Sequence, residues 1–283
     1  MSEHSPQKTG PNWGDLRQRL MSAFLLIPIV AAAIIYGQIA VAVLVAAAVA
    51  LAYQEWSRMV GQGKMNRFTY LIMGLLAVGA VIYPIAGITA SLLFFFAGAI
   101  VAALSVDWRQ WRLPYYAAGA IFFGVSAICV LALRGDTVNG IWATVFLAVV
   151  IWLTDSGAFF VGRLLGGVKL SPEISPSKTW SGAIGGLCFG TIGGLIVWLM
   201  ATDSPFWIGI LIAAVLSVVA QLGDLVESAL KRRFLIKDSG DIIPGHGGIL
   251  DRIDSFTFGG ILLFLIGVIH AASDQVAQGV LIW

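Results

Sequence analysis

QIAVAVLVAAAVALAYQEW, residues 38–56, is an apolar run that as a helix crosses a bilayer core, a distance that takes about 20 residues at about 1.5 Å each. Similar runs recur along the whole chain. The sequence predicts nine spans, at 20–36, 38–56, 68–86, 88–105, 114–133, 140–161, 180–200, 206–228 and 255–272. Hydrophobic residues make up 59% and charged residues 11%, against about 45–50% and about 25% in a soluble domain. Mean hydropathy is +0.91. These values exclude a soluble globule and predict an all-α polytopic membrane protein of about nine helices, because helices satisfy their own backbone polar groups in lipid. Arg17 and Arg19 precede the first run, but further spans follow it directly, so it is expected to be a retained helix rather than a cleaved signal. Cys129 and Cys188 fall inside spans and are expected to be small buried apolar residues, with no disulfide framework or thiolate metal site.

Of the 17 Lys and Arg residues, all but Arg134 fall on one side if the N-terminus is cytoplasmic. The positive-inside rule therefore predicts a cytoplasmic N-terminus. The chain divides into a polar tail (1–16), helices one to five (17–136) and a C-terminal region (137–283) with cytoplasmic loops at 162–179 and 229–254. Functional residues on a membrane scaffold concentrate in such loops and among ionisable groups inside spans. The glycines of GAIGGLCFGTIGG (182–194) lie within a span and lack a Walker lysine, so they are expected to serve helix packing.

Charge is concentrated in KRRFLIKDSGDIIPGHGGILDRID (231–254), which holds nine of the Asp, Glu, Lys and Arg residues. Just upstream, Asp224, Glu227, Ser228 and Lys231 follow i, i+3, i+4, i+7 spacing and share one helical face. An internal pair between Glu227 and Lys231 would leave Asp224 in need of a cation. Asp251 and Asp254 stand three apart where the last span begins, a place where Asp254 alone also reads as an N-terminal cap. Asp155, well inside a span, must face protein, water or a cation. In SPSKTW, Ser175, Ser177 and Lys178 are placed at a helix start with Pro176 near its first turn, a natural phosphate site as well as a natural cap. Carboxylates from two helix ends suit Mg²⁺, a cation of hard oxygen ligands that keeps phosphate and water in its shell. Nearby Lys and Arg would neutralise a polyphosphate, and the glycines of IIPGHGG would let backbone N–H groups approach it. A lone His246 makes no zinc site.

At these positions the chain resembles the phosphatidate cytidylyltransferase family, the CDP-diacylglycerol synthases. The resemblance rests on Ser228, Lys231, Arg232, Lys237, Asp238, Pro244, His246, Gly247, Gly248, Asp251, Arg252 and Asp254, and extends to DSGAFFVGR and SPSKTW upstream. Ser177 and Ser181 depart from it, standing where Lys and Glu are common. The resemblance implies cytidylyl transfer from CTP to phosphatidic acid, giving CDP-diacylglycerol and pyrophosphate for phospholipid synthesis at the cytoplasmic face of a cell inner membrane. It implies Mg²⁺, with K⁺ as a candidate second cation, and is compatible with a homodimer. Asp224, Asp251, Lys237 and Arg252 become the catalytic set, and Asp224, Asp251 and Asp254 the metal ligands. Asp155, Ser175, Ser177, Lys178, Thr179, Ser228, Lys231, Arg232, His246, Gly247 and Gly248 become the substrate-binding set. A groove among spans six to nine, open to the lipid, would admit the diacyl tails. Two other readings stay open: transfer to another long-chain lipid phosphate, and an ion-coupled transporter, for which intramembrane acids and glycine-rich helices are also suited.

Overall fold

The computed structural model describes residues 27–105, 111–240, 247–271 and 275–283. The expected apolar runs form helices α1 (Ile27–Tyr36), α2 (Gln38–Val60), α3 (Thr69–Leu104), α4 (Leu113–Arg134), α5 (Val138–Leu165), α6 (Trp180–Ala201), α7 (Phe206–Arg233) and α8 (Leu250–His270). A short α9 (Val276–Leu281) follows, which the sequence reading did not anticipate. Among the described residues, seven of these helices are long and apolar enough to cross a membrane. The protein is thus a helical, multi-pass membrane protein.

Helix α3 contains two of the expected spans, 68–86 and 88–105. Its helical path breaks at Gly87, whose φ of 76° and ψ of −175° lie outside helical geometry, three residues after Pro84. The two arms fold back on one another, since a Cβ at Gly79 would sit 2.5 Å from the Phe95 ring. At the other end Asn66 Nδ2 donates to Ser105 Oγ at 2.8 Å, tying the arms together.

Helices α2, α3 and α4 share one apolar core, built around Tyr53, Leu76 and Phe123; Phe234 and Leu250, at the end of α7 and the start of α8, join it. Helices α5 to α9 share a second core around Phe146, Trp198 and Leu216. Between α5 and α6 the expected glycine packing is present: a Cβ at Gly182 would lie 2.8 Å from Ala158 O, and one at Gly186 would lie 2.7 Å from Thr154 O. The two backbones touch because no side chain separates them, which suits helices that associate in lipid by close packing. Thr154 Oγ1 donates to Ser217 Oγ at 2.8 Å and ties α5 to α7. Arg134, the one basic residue expected outside, is buried and donates from Nε to Ile34 O at 2.8 Å, satisfying a carbonyl at the end of α1.

Three expectations need correction. Ser175, Pro176, Ser177 and Lys178 do not open a helix; they form β2 (Ser175–Thr179), paired antiparallel with β1 (Lys169–Ser171). Pro176 disfavours helical geometry at Ser175 and lacks an N–H, so the stretch runs extended until Thr179. Thr179 then caps α6, its hydroxyl accepting from Gly182 N at 3.1 Å. Asp254 is no N-cap either, because α8 has already begun at Leu250. Cys129 is buried as expected, but Cys188 lies on an exposed face of α6.

The glycine seam gives a direct stability test. Gly186→Val should cost about 1–3 kcal/mol through overpacking, lowering the thermal midpoint in detergent, whereas Ile184→Val on the exposed face of the same helix should change it little. Equal effects of the two substitutions would contradict a seam at van der Waals contact.

Candidate functional site

A cavity of about 1050 Å³ opens where α5 ends, the hairpin turns, α6 begins, α7 ends and α8 begins. Its lining includes six carboxylates (Asp155, Asp224, Glu227, Asp238, Asp251, Asp254) and five cationic side chains (Arg163, Lys169, Lys178, Lys231, Arg252). Groups of one sign cannot crowd together at a membrane boundary without partners, and the distances show how these are paired. Lys178 Nζ lies 2.6 Å from Asp224 Oδ2. Lys231 Nζ lies 2.7 Å from Glu227 Oε2 and 2.6 Å from Asp251 Oδ1. One buried ammonium therefore serves two acids, and the internal Glu227–Lys231 pair expected from the helical spacing is present.

Asp224, Glu227 and Asp254 each offer a carboxylate oxygen, all within 4.8 Å of one another. Glu227 and Asp254 are buried. Glu227 Oε1 has no hydrogen-bond donor, and the contact of Oε2 with Lys231 is an ion pair rather than a well-angled hydrogen bond. Three hard oxygen donors, one of them unsatisfied and buried, fit a divalent cation such as Mg²⁺. This trio differs from the expected Asp224, Asp251 and Asp254. Asp251 has partners on both oxygens: Oδ1 takes Lys231, and Oδ2 accepts from Gly248 N at 3.2 Å and Ser239 N at 3.3 Å, with Ser239 Oγ, whose one proton is shared with Glu55, at 2.9 Å. It faces the cavity as a member of that network, while Glu227 is the third acid grouped with Asp224 and Asp254.

Of the remaining expected site residues, Asp155, Ser177, Lys178, Thr179, Gly247 and Arg252 line the cavity, while Lys237 is exposed outside its lining. Ser175 is buried within the hairpin. Ser228 sits behind Asp224, with its hydroxyl 3.5 Å from Asp224 Oδ1. Arg232 was expected to bind phosphate. Its guanidinium donates instead to Ile174 O at 3.2 Å and Ile236 O at 3.0 Å, clamping the hairpin to the segment after α7. Lys231, likewise expected at phosphate, is held between two acids. Gly248 is buried beneath the cavity, and its N–H is directed to Asp251. His246 lies outside the described residues.

Three participants were not assigned to the site by the sequence reading. Glu55, in α2, is fully buried and accepts from Ile249 N at 3.0 Å, Leu250 N at 2.8 Å and Ser239 Oγ at 3.0 Å. Ser239 in turn touches Asp251. In the sequence, Glu55 looks like an interfacial charge at the end of a span, and no local pattern points to partners 194 residues away. Lys169 was counted only for topology and Arg163 entered otherwise only as the last residue of DSGAFFVGR, yet both face the cavity.

Sequence comparison places this arrangement in a known group. Residues 17–270 match the profile described as Cytidylyltransferase family. The chain belongs to the cytidylyltransferase family. It is 47% identical over 171 residues to a protein of Brucella suis biovar 1 (strain 1330) named phosphatidate cytidylyltransferase, covering 60% of this chain and 63% of that one. A protein of the same name from Bacillus subtilis (strain 168) is 50% identical over 140 residues, covering 49% of this chain and 52% of its own. A third, from Staphylococcus haemolyticus (strain JCSC1435), is 46% identical over 138 residues, covering 48% and 52%. The chain spans less than two thirds of the length of these curated relatives.

In this charge network, Lys231→Met strands the buried Glu227 carboxylate and takes one partner from the half-buried Asp251, and should cost about 3–5 kcal/mol. Adding Glu227→Gln removes one stranded charge and should restore part of the thermal midpoint. A double variant no more stable than Lys231→Met alone would contradict the shared-ammonium arrangement.

Proposed function

We propose that this cytidylyltransferase family member transfers the cytidylyl group of CTP to phosphatidate, forming CDP-diacylglycerol and pyrophosphate at the cytoplasmic face of the inner membrane. The observation that carries the reading is the meeting, in one cavity at a membrane-facing end of the bundle, of an oxygen-only acid trio and several cationic side chains. The names of the relatives agree with it, and the positive-inside count supports the cytoplasmic face.

The reactants dictate what the site must do. A phosphate oxygen of phosphatidate is already anionic and attacks the α-phosphorus of CTP. The new P–O bond forms as the bond to the β-phosphate bridging oxygen breaks, and pyrophosphate leaves with that electron pair. No covalent enzyme nucleophile and no proton abstraction are required. The barrier is repulsion between two anions, together with the need to align them. Lys178, Arg252, Arg163 and Lys169 supply positive charge toward the cavity. Asp224, Glu227 and Asp254 would hold Mg²⁺, which when bound neutralises phosphate charge and orients the phosphate oxygens. Lys231 keeps Glu227 and Asp251 in place, and Asp155 faces the same volume from α5. Exposed Phe159 and Trp180, on the helices bordering the cavity, offer apolar surface beside which acyl chains can remain in lipid while the headgroup enters.

Purified protein given CTP labelled at the α-phosphorus, Mg²⁺ and phosphatidate should move label into the organic phase and release pyrophosphate. Chelation of the divalent ion should stop it, and Asp224→Asn should lower it by about 100-fold or more with the fold intact. Label transfer that ignores phosphatidate, or full activity in Asp224→Asn, would refute the proposal.

A further inference from the structure

Glu55 belongs to none of the elements that line the cavity. It lies near the C-terminal end of α2, in the other apolar core, and is 0% exposed. A carboxylate so placed costs several kcal/mol unless it is fully satisfied, and its donors among the described residues come from Ser239 and the start of α8. The N–H groups of Ile249 and Leu250 belong to the start of α8, where backbone donors lack intrahelical partners and the helix dipole favours a negative charge. The third donor is the Ser239 hydroxyl.

The surroundings are shaped around this carboxylate. A Cβ at Gly240 would lie 2.6 Å from Glu55 Oε1, and one at Gly248 would collide with Glu55 Oε2 and Ser239 Oγ. Gly248, which reads in the sequence as part of a phosphate-binding loop, is thus required by Glu55 on one side and donates its N–H to Asp251 on the other. Ser239 does the same double service. Its hydroxyl oxygen lies 3.0 Å from Glu55 Oε2 and 2.9 Å from Asp251 Oδ2, and its N–H also reaches Asp251. From Asp251 the path continues through Lys231 to Glu227 of the acid trio.

We propose that Glu55 is a positioning residue for the transfer reaction: a carboxylate of the N-terminal helices that pins the α7–α8 segment and, through Ser239, fixes Asp251 and the Lys231–Glu227 pair at the site. The inference rests on the cytidylyl-transfer reading for its kinetic consequence, while the pin itself has a readout of its own. A plain helix cap would stabilise α8 and go no further. The Ser239 link makes the difference, because it carries the position of Glu55 to a side chain that faces the cavity.

The test compares wild type, Glu55→Gln and Ser239→Ala, each as the full chain in lipid nanodiscs. Hydrogen exchange is measured without substrate, and steady-state kinetics with CTP, Mg²⁺ and phosphatidate. Glu55→Gln keeps the shape but replaces an acceptor oxygen by an amide nitrogen. It should speed exchange at Ile249 and Leu250 by about tenfold or more while α5 and α6 stay protected. Its kcat should fall by about tenfold or more, with KM for CTP within about twofold, because displaced site groups cost turnover before they cost binding. Ser239→Ala should lower kcat similarly and leave Ile249 and Leu250 protected. Unchanged exchange in Glu55→Gln, exchange rising equally in α5 and α6, or full kcat in Ser239→Ala would each overturn the inference. If Glu55→Gln does not accumulate, the kcat of Ser239→Ala decides alone. A wild-type protein that transfers no cytidylyl group overturns the functional reading instead, and is told apart because the inference fails only through variants of an active wild type.

Discussion

Carboxylates gathered at the edge of a bilayer repel one another and resist leaving water, so each must find a cation or a set of donors before the helices that carry them can pack. Here that requirement is met by sharing. Lys231 lies between Glu227 and Asp251, Lys178 reaches Asp224 from the hairpin, and Glu55 takes the donors at the start of α8. The helix ends are thereby locked to each other by charge as much as by apolar contact. Glu227, whose Oε1 has no donor among the described residues, stands beside Asp224 and Asp254. The network that stabilises the bundle thus also leaves a gap suited to a divalent cation and its phosphate ligands.

Packing serves this arrangement in a specific way. In the α5–α6 seam Gly182 and Gly186 lie against backbone carbonyls of α5, so Asp155 on α5 and the hairpin before α6 are held close together. Thr154 and Ser217 add a buried hydrogen bond from α5 to α7, whose last turns carry Asp224, Glu227 and Lys231. The N-terminal helices form their own core and yet reach the site through Glu55. The proposed role of Glu55 thus extends to a cavity whose described lining includes no residue of α2.

The helical membrane fold was legible because apolar runs in lipid have few solutions, and because the spacing of Asp224, Glu227 and Lys231 on one face follows from helix geometry alone. Even the break in α3 was visible as two adjoining runs separated near Gly87. The hairpin was not: SPSKTW carries serines and a proline that suit a helix start as well as an extended strand, and the choice depends on pairing with Lys169–Ser171. The contacts of Arg232 and Asp251 were hidden for a related reason. Composition reveals that an arginine or an aspartate is near the site, whereas its partner is set by tertiary geometry, which gives Arg232 two backbone carbonyls and Asp251 a full set of donors. Glu55 was hidden most completely, since its partners lie at the far end of the chain.

The central proposal is that Asp224, Glu227 and Asp254 together form a cation site in this member of the cytidylyltransferase family. Mn²⁺, a spectroscopic substitute for Mg²⁺, can be titrated into nanodisc-embedded protein and followed by electron paramagnetic resonance in wild type, Glu227→Gln and Asp254→Asn. Saturable binding in wild type that weakens by about tenfold or more in each variant is the expected result. Binding that is equally tight in all three proteins would contradict the account.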